Sequence, residues 1–223
     1  MLPLRLCVSH AFVNRPGTLV SGDFGDVVRV DDDRTGFFVG DVMGKGAPAG
    51  LIMAVLQTTL VRGLHDGVGL VSLCADVNEN LCQRWPGVIA SLWMGVADAA
   101  HGTLRYVDAG HGLAFHSDGE GCVAALRDGG GVMLGCGLSS VYEEAPTRLS
   151  KGDRIWIVTD GVVEQSDPRG ENFGEARVVD HCGRASRRED AGAALLQAVL
   201  AHGSGGLVRD DITILDMWCR GLA

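Results

Sequence analysis

Two helical periodicities stand back to back, at residues 47–65 and 70–85, in a chain whose other apolar runs are mostly short enough for strands. Met53, Leu56, Leu60 and Leu64 share one face of the first helix. Leu70, Leu73, Val77 and Leu81 form one stripe of the second. Pro48 sits in the first turn of the first helix, where its missing N–H costs little. Strands are predicted before this pair at residues 4–13, 27–30 and 37–40, the last two joined by a polar turn at 31–36. After it come strands at 88–96, 103–108, 113–116, 122–126, 144–149 and 154–159. A glycine-rich loop at 128–137 interrupts that run, and a helix at 190–202 and a strand at 212–218 close the chain. This order is not a regular alternation of strand and helix, so a doubly wound parallel sheet is disfavoured. Two antiparallel sheets packed on each other, with helices outside, fit it better.

The 223 residues suffice for one domain and are few for two, so a single domain over 1–223 is expected. Hydrophobic residues at 46% and charged residues at 21% exclude disorder as the main state. Lys+Arg is 19 against 28 for Asp+Glu, giving a net charge of −9, which argues against nucleic acid and anionic membranes as partners. Aromatic residues at 5% argue against base-stacking surfaces. The 33 glycines follow no collagen-like period and point to tight turns and close backbone approaches. Seven scattered cysteines without a C-x-x-C read as free thiols in a reducing compartment and leave no zinc-ribbon spacing. The first residues, with Arg5 among them, lack the sustained apolar core of a signal peptide, and Leu4–Cys7 reads as an edge strand rather than a lipoprotein site. No uninterrupted apolar run approaches a membrane span. A cytoplasmic protein is expected.

Acids abut the apolar strands. Phe37-Phe38-Val39-Gly40 runs into Asp41, Ile155-Trp156-Ile157-Val158-Thr159 runs into Asp160, and Asp210-Asp211 leads into Ile212-Thr213-Ile214-Leu215. Asp23 stands just before another strand. A carboxylate beside a core strand loses several kcal/mol of hydration unless cations or hydrogen bonds compensate. Each acid alone is as readily a turn or cap residue. Together they point to a convergent acidic site whose oxygen-only ligands suit a hard cation, Mg²⁺ or Mn²⁺, with one carboxylate able to bridge two ions.

In order along the chain occur Ser21-Gly22-Asp23-Phe24-Gly25-Asp26, Gly40-Asp41-Val42-Met43-Gly44-Lys45-Gly46-Ala47-Pro48-Ala49, Asp108-Ala109-Gly110-His111 and Gly152-Asp153. Thr159-Asp160-Gly161-Val162-Val163-Glu164, Asn172-Phe173-Gly174 and Asp210-Asp211-Ile212-Thr213 follow. Each motif alone is weak; the ordered set resembles the stage II sporulation protein E-type branch of the metal-dependent, protein phosphatase 2C-like (PPM) superfamily, over about residues 10–218. That resemblance implies an α+β fold, a four-layer α-β-β-α sandwich with two central, mainly antiparallel sheets. It implies hydrolysis of phosphoserine or phosphothreonine in a protein through water activated by two Mn²⁺ or Mg²⁺ ions. By the resemblance, Asp41 bridges both metals and the Val42 carbonyl binds one. Asp160 and Asp210 hold the first metal, and Asp23 contacts the second, through water. Asp211 is the alternative to Asp210. Asp41, Asp160 and Asp210 are thus the expected catalytic residues.

The chain also departs from the family pattern. Ser21 replaces the usual first glycine of that motif, and Gly25 replaces a usual aromatic. Met43 stands where the eukaryotic branch has a histidine, which leaves the general acid unassigned. Lys45 reads either as a phosphate-steering group or as a solvated turn lysine, the second being favoured. His111 reads equally as a site residue or a structural histidine. Glu164 is not expected to be a ligand, and the 166–172 segment is a connector or a substrate gate beside the cleft.

Gly40–Gly46 lacks the P-loop spacing, and position twelve of a calcium loop starting at Asp31 would be Val42 rather than glutamate. No G-x-S-x-G or H-E-x-x-H occurs. The relatives implied by the resemblance act on phosphorylated anti-sigma-factor antagonist domains of the STAS type in stress or sporulation signalling, so such a domain is the expected partner. With about twenty residues before Asp23, no fused sensor is expected. The rival readings are a non-catalytic pseudophosphatase that binds phosphoprotein and a small-molecule phosphoester hydrolase on the same fold.

Overall fold

The computed structural model describes residues 4–7, 20–185, 190–204, 208 and 210–221. One sheet is built from β2 (Asp23–Arg29), β3 (Arg34–Val42), β4 (Ala90–Asp98), β5 (Thr103–Ala109) and β8 (Ala145–Arg148), in that order. The other has the order β1 (Leu4–Cys7), β10 (Ile214–Gly221), β9 (Arg154–Val158), β6 (Ala114–Ser117) and β7 (Val123–Ala125). The strand neighbours pair antiparallel throughout. Helices α1 (Ala47–His65) and α2 (Leu70–Arg84) cover the first sheet. Helices α3 (Asp160–Glu164), α4 (Gly174–Arg184) and α5 (Ala191–His202) accompany the second. The result is the α-β-β-α sandwich.

Three apolar layers hold it. On β3 the side chains alternate, as the period of two requires. Phe38 and Val42 join Leu56, Leu60 and Leu64 of α1 and Leu73, Val77 and Leu81 of α2. Phe37 and Val39 enter the layer between the sheets, with Trp93, Tyr106, Ile155, Ile157, Leu215 and Met217. Trp93 stacks on Tyr106 at 5.3 Å there. The outer layer of the second sheet joins Trp156 and Val158 to Val178, Leu195 and Val199. Fully burying one such side chain contributes about 1.5–3 kcal/mol. Beneath α5, Arg154 and Asp216 form a buried ion pair at 2.7 Å, and Asp216 also accepts the Gly192 N–H at 2.7 Å.

By length and mean hydropathy alone, α1 is the one helix among the described residues long and apolar enough to cross a membrane. Here it buries Ile52, Leu56, Leu60 and Leu64 against the first sheet, the usual place of an amphipathic core helix.

The expected strands appear, with shifted ends. β2 begins at Asp23 rather than Val27, and β3 runs on to Val42, so Asp23, Asp41 and Val42 are ladder residues rather than flanking ones. The last strand starts at Ile214. The short α3 and the more polar α4 were not expected. The 8–13 part of the expected first strand lies outside the described residues. Six cysteines, Cys74, Cys82, Cys122, Cys136, Cys182 and Cys219, are free, in line with the reading of unpaired thiols.

Candidate active site

Alternation carries the apolar layer between the sheets into a polar mouth. On β3 the face that buries Phe37 and Val39 ends in Asp41. On β2 the face that packs Val27 begins with Asp23. On β9 and β10 the faces of Ile157 and Leu215 continue into Thr159 and Thr213. Register brings the first two together, because Asp23 pairs with Asp41 and Asp41 with Ser91 of β4. Asp160 follows Thr159 at the head of α3, and Asp210 and Asp211 lie in the segment leading to β10.

Asp23 is buried, and its Oδ2 accepts hydrogen bonds from Thr159 Oγ1 at 2.8 Å and Thr213 Oγ1 at 2.7 Å. The Thr213 N–H in turn donates to Thr159 Oγ1 at 2.9 Å. The two hydroxyls thus stitch the first sheet to the second. Loss of water pushes the Asp23 carboxyl up to about 8, the hydroxyls pull it back in part, and Asp41 and Asp211 push it further. Asp41 is pushed up to about 7 by burial and then by the charges of Asp160, Asp210 and Asp211, with a hydrogen bond from Asp23 opposing. Asp160 is raised by desolvation and by Asp210. The charges that bear on Asp23, Asp41 and Asp160 thus come from four separate stretches of sequence.

Close backbone approaches make the convergence possible. A Cβ on Gly22 would stand 2.7 Å from the Val42 carbonyl oxygen and 2.8 Å from Asp41 Oδ1, so those two oxygens share one side of the mouth. A Cβ on Gly161 would fall 1.9 Å from the Asp211 carbonyl. The Gly22 N–H donates to Asp211 Oδ2 at 3.0 Å, and the Asp211 N–H donates to Asp210 Oδ1 at 3.0 Å. Asp211 therefore ties the 210–211 segment to the start of β2, whereas Asp210 faces the mouth. Lys45 reaches Asp210 across it at 3.0 Å. Both side chains of this pair are exposed, and such pairs contribute little.

All six residues expected as metal ligands, Asp23, Asp41, Val42, Asp160, Asp210 and Asp211, lie at this mouth. Their oxygens suit hard cations, and Lys45 offsets only part of the crowded negative charge. Among the described residues no three His, Cys, Asp or Glu side chains close around one point.

His111 is a strut. Its Nε2 lies 3.0 Å from the Val158 carbonyl and its Nδ1 3.1 Å from Ser91 Oγ. A carbonyl only accepts, so Nε2 carries the proton and Nδ1 accepts from the serine. Burial pushes the ring down to about 4, so it stays neutral and links the two sheets below Asp41 and Asp160. Asp108 fixes its turn by accepting the His111 N–H at 2.6 Å. Sequence reasoning left His111 open and missed Thr159, Thr213 and Ser91. Extending the strand alternation by one step would have placed the two threonines. Glu164 and the 166–172 segment flank the mouth in a polar pocket of about 220 Å³ that includes Asp210.

Face-to-face antiparallel sheets with outer helices and an acidic mouth where the strands end give the protein phosphatase 2C-like fold. Residues 31–219 match the stage II sporulation protein E (SpoIIE) family, and the chain belongs to that family, a branch of the PPM protein serine/threonine phosphatases. It is 25% identical to Protein IcfG of Synechocystis over 92% of this chain and 37% of that protein. To the phosphoserine phosphatase RsbU of Bacillus subtilis it is 27% identical over 73% of this chain and 49% of RsbU. The chain thus spans half or less of these curated relatives. The structure of the RsbU and RsbW domains of Rv1364c from Mycobacterium tuberculosis superposes with a TM-score of 0.84 at 26% identity, over 100% of this chain and 62% of that one. RsbX in complex with magnesium shares the fold, with a TM-score of 0.70 at 17% identity over 96% of this chain and 100% of that one.

Proposed function

We propose that the chain is a metal-dependent protein serine/threonine phosphatase that removes phosphate from phosphoserine or phosphothreonine through two Mn²⁺ or Mg²⁺ ions. The observation that carries this reading is the crowding of Asp23, Asp41, Asp160, Asp210 and Asp211 at one mouth, where burial and like charge hold three of them above the usual carboxylate range. Divalent cations there would neutralise these acids, polarise the phosphoryl group and acidify the attacking water. Asp41 would serve both ions and the Val42 carbonyl, beside it against Gly22, would bind one of them. Asp160 and Asp210 would hold the first ion and Asp23 would reach the second through water, while Asp211 anchors Gly22.

The residues around these ligands fix them. Thr159 and Thr213 lock the Asp23 carboxylate, and Gly161 lets the 210–211 segment lie against α3. His111 has both ring nitrogens engaged, and Met43 carries no proton, so neither serves as general acid; leaving-group protonation falls to water. Lys45, drawn off Asp210 once a cation replaces it, is free to meet a phosphoryl oxygen.

The substrate we assign is a phosphorylated anti-sigma-factor antagonist domain of the STAS type, and the compartment the cytoplasm. The phosphoserine phosphatase RsbU among the relatives and the RsbU–RsbW pairing in Rv1364c support the first. The free thiols support the second. The test is Mn²⁺-dependent hydrolysis of p-nitrophenyl phosphate and of a phosphoserine peptide, against Asp41→Asn. Turnover lost with the metal and with the variant is expected. Tight phosphoprotein binding without turnover would make the chain a pseudophosphatase. A strong preference for metabolite phosphates would make it a small-molecule hydrolase.

A further inference from the structure

The acidic mouth has two unlike flanks. On one side the 220 Å³ pocket is polar, with Glu164, Gln165, Ser166 and Asn172 around Asp210. On the other, Asp41 and Asp160 open, beside Ser91, His111 and Thr159, into a pocket of about 370 Å³ whose apolar wall is Met43, Ile89, Leu113 and Met133. Met43 is 56% and Met133 40% exposed, so two large apolar side chains face solvent beside the carboxylates.

This wall is built rather than incidental. The Met43 N–H donates to the Ile89 carbonyl at 2.9 Å, which sets those two residues side by side. The loop bearing Met133 is held on one side by reciprocal Ala90–Leu134 backbone bonds of 3.0 and 2.9 Å. On the other side the buried Asn78 of α2 donates to the Gly137 carbonyl and accepts the Gly135 N–H, each at 2.9 Å. Gly110, at φ +73°, lies where a Cβ would strike Met133 Cγ at 2.4 Å, so the loop closes directly onto the end of β5.

We propose that this wall is the specificity subsite of the phosphatase, taking an apolar side chain within two residues of the phosphorylated serine or threonine. The inference rests on the phosphatase reading. Because Asp41 and Asp160 belong both to the pocket and to the reacting mouth, a phosphoryl group at the mouth puts the neighbouring residues of its own chain against this wall. An extended chain advances about 3.3 Å per residue, so only near neighbours reach it. Two methionines give a pliable surface that accepts Leu, Ile, Val or Met alike. An acidic neighbour would be desolvated beside Met133, and a small metabolite phosphate would leave the wall bare.

The test compares phosphoserine peptides that differ only in having Leu, Ser or Asp beside the phosphoserine, with Mn²⁺ present. A kcat/KM at least about tenfold higher for the Leu peptide than the Ser peptide is expected, carried by KM, with the Asp peptide lowest. Met133→Asp and, separately, Met43→Gln are expected to shrink the Leu-to-Ser ratio towards one, while Met133→Leu restores it. The readout is a ratio within each variant, so a loss of folded protein does not imitate it. Equal kcat/KM for the Leu and Ser peptides overturns the subsite while leaving the phosphatase reading intact. Absence of Mn²⁺-dependent turnover on any phosphate ester overturns that reading instead. Fluorescence anisotropy of the same peptides then decides the subsite, equal affinities counting against it.

Discussion

Asp23 and Asp41 face each other as register partners across the β2–β3 ladder, and Asp23 is also held by two threonine hydroxyls from the opposite sheet. Two carboxyls pushed up to about 8 and about 7 at one point form a proton-hungry pair in the absence of a cation. A divalent ion is the natural replacement for those protons.

Asp41→Asn and Asp160→Asn are each expected to lower Mn²⁺-dependent turnover by about 10²–10³-fold or more, since each removes charge at the reacting centre. Initial rates on p-nitrophenyl phosphate across a manganese titration measure it. Asp211→Asn should cost less, because its Oδ2 serves the Gly22 N–H.

Replacing Thr159 or Thr213 by valine removes a donor to Asp23 without changing shape much. Metal affinity is expected to fall about 10–100-fold, the usual effect of losing a ligand's supporting hydrogen bond. Calorimetric titration with Mn²⁺ reads it, and full affinity in both variants would show that the two hydroxyls do not support metal binding.

Stability of the metal-free protein should depend on pH with two opposed limbs. Asp23 titrates near 8 when folded and 3.8 when unfolded, so between these values the folded state keeps a proton that the unfolded chain has lost, and stability falls as pH rises. His111 titrates near 4 folded and 6.5 unfolded, so its contribution is lost as pH falls through that window. Melting curves from pH 4 to 9 should flatten on the alkaline side in Asp23→Asn and with saturating Mg²⁺. Between about pH 4 and 6.5 the two contributions oppose each other, so His111→Asn should steepen the fall of stability with rising pH in that range.

Gly161→Ala places a methyl where the Asp211 carbonyl already stands, 1.9 Å away. The backbone of the 210–211 segment must move, at a cost of about 1–3 kcal/mol. Chemical denaturation and turnover should both report it, with Asp210 displaced from the mouth.

Asp216→Ala leaves Arg154 charged and buried beneath α5 and is expected to destabilise by about 3–5 kcal/mol. Its catalytic constants at low temperature should stay near those of the native protein, which separates this scaffold pair from the mouth.

Most of the architecture was legible because strand alternation, helical stripes and glycine turns are local signals. The site acids were legible as acids at strand ends, and the family resemblance assigned them roles. Three things were not legible. The strand ends around Asp23 and Asp41 extend because the β2–β3–β4 ladder continues past the apolar run, a tertiary effect. Helix α4 is largely polar, and only Val178 and Cys182 are buried, so its apolar stripe is too thin to read. The tie between Asp211 and Gly22 joins residues 189 positions apart. Pairings of that reach leave no mark in a sequence window.

The bond from Thr213 to Asp23 joins positions 190 residues apart. A ribosome must therefore have translated nearly the whole domain before its reacting centre can exist. Until Thr213 has cleared the exit tunnel, the nascent protein carries an unfinished pocket.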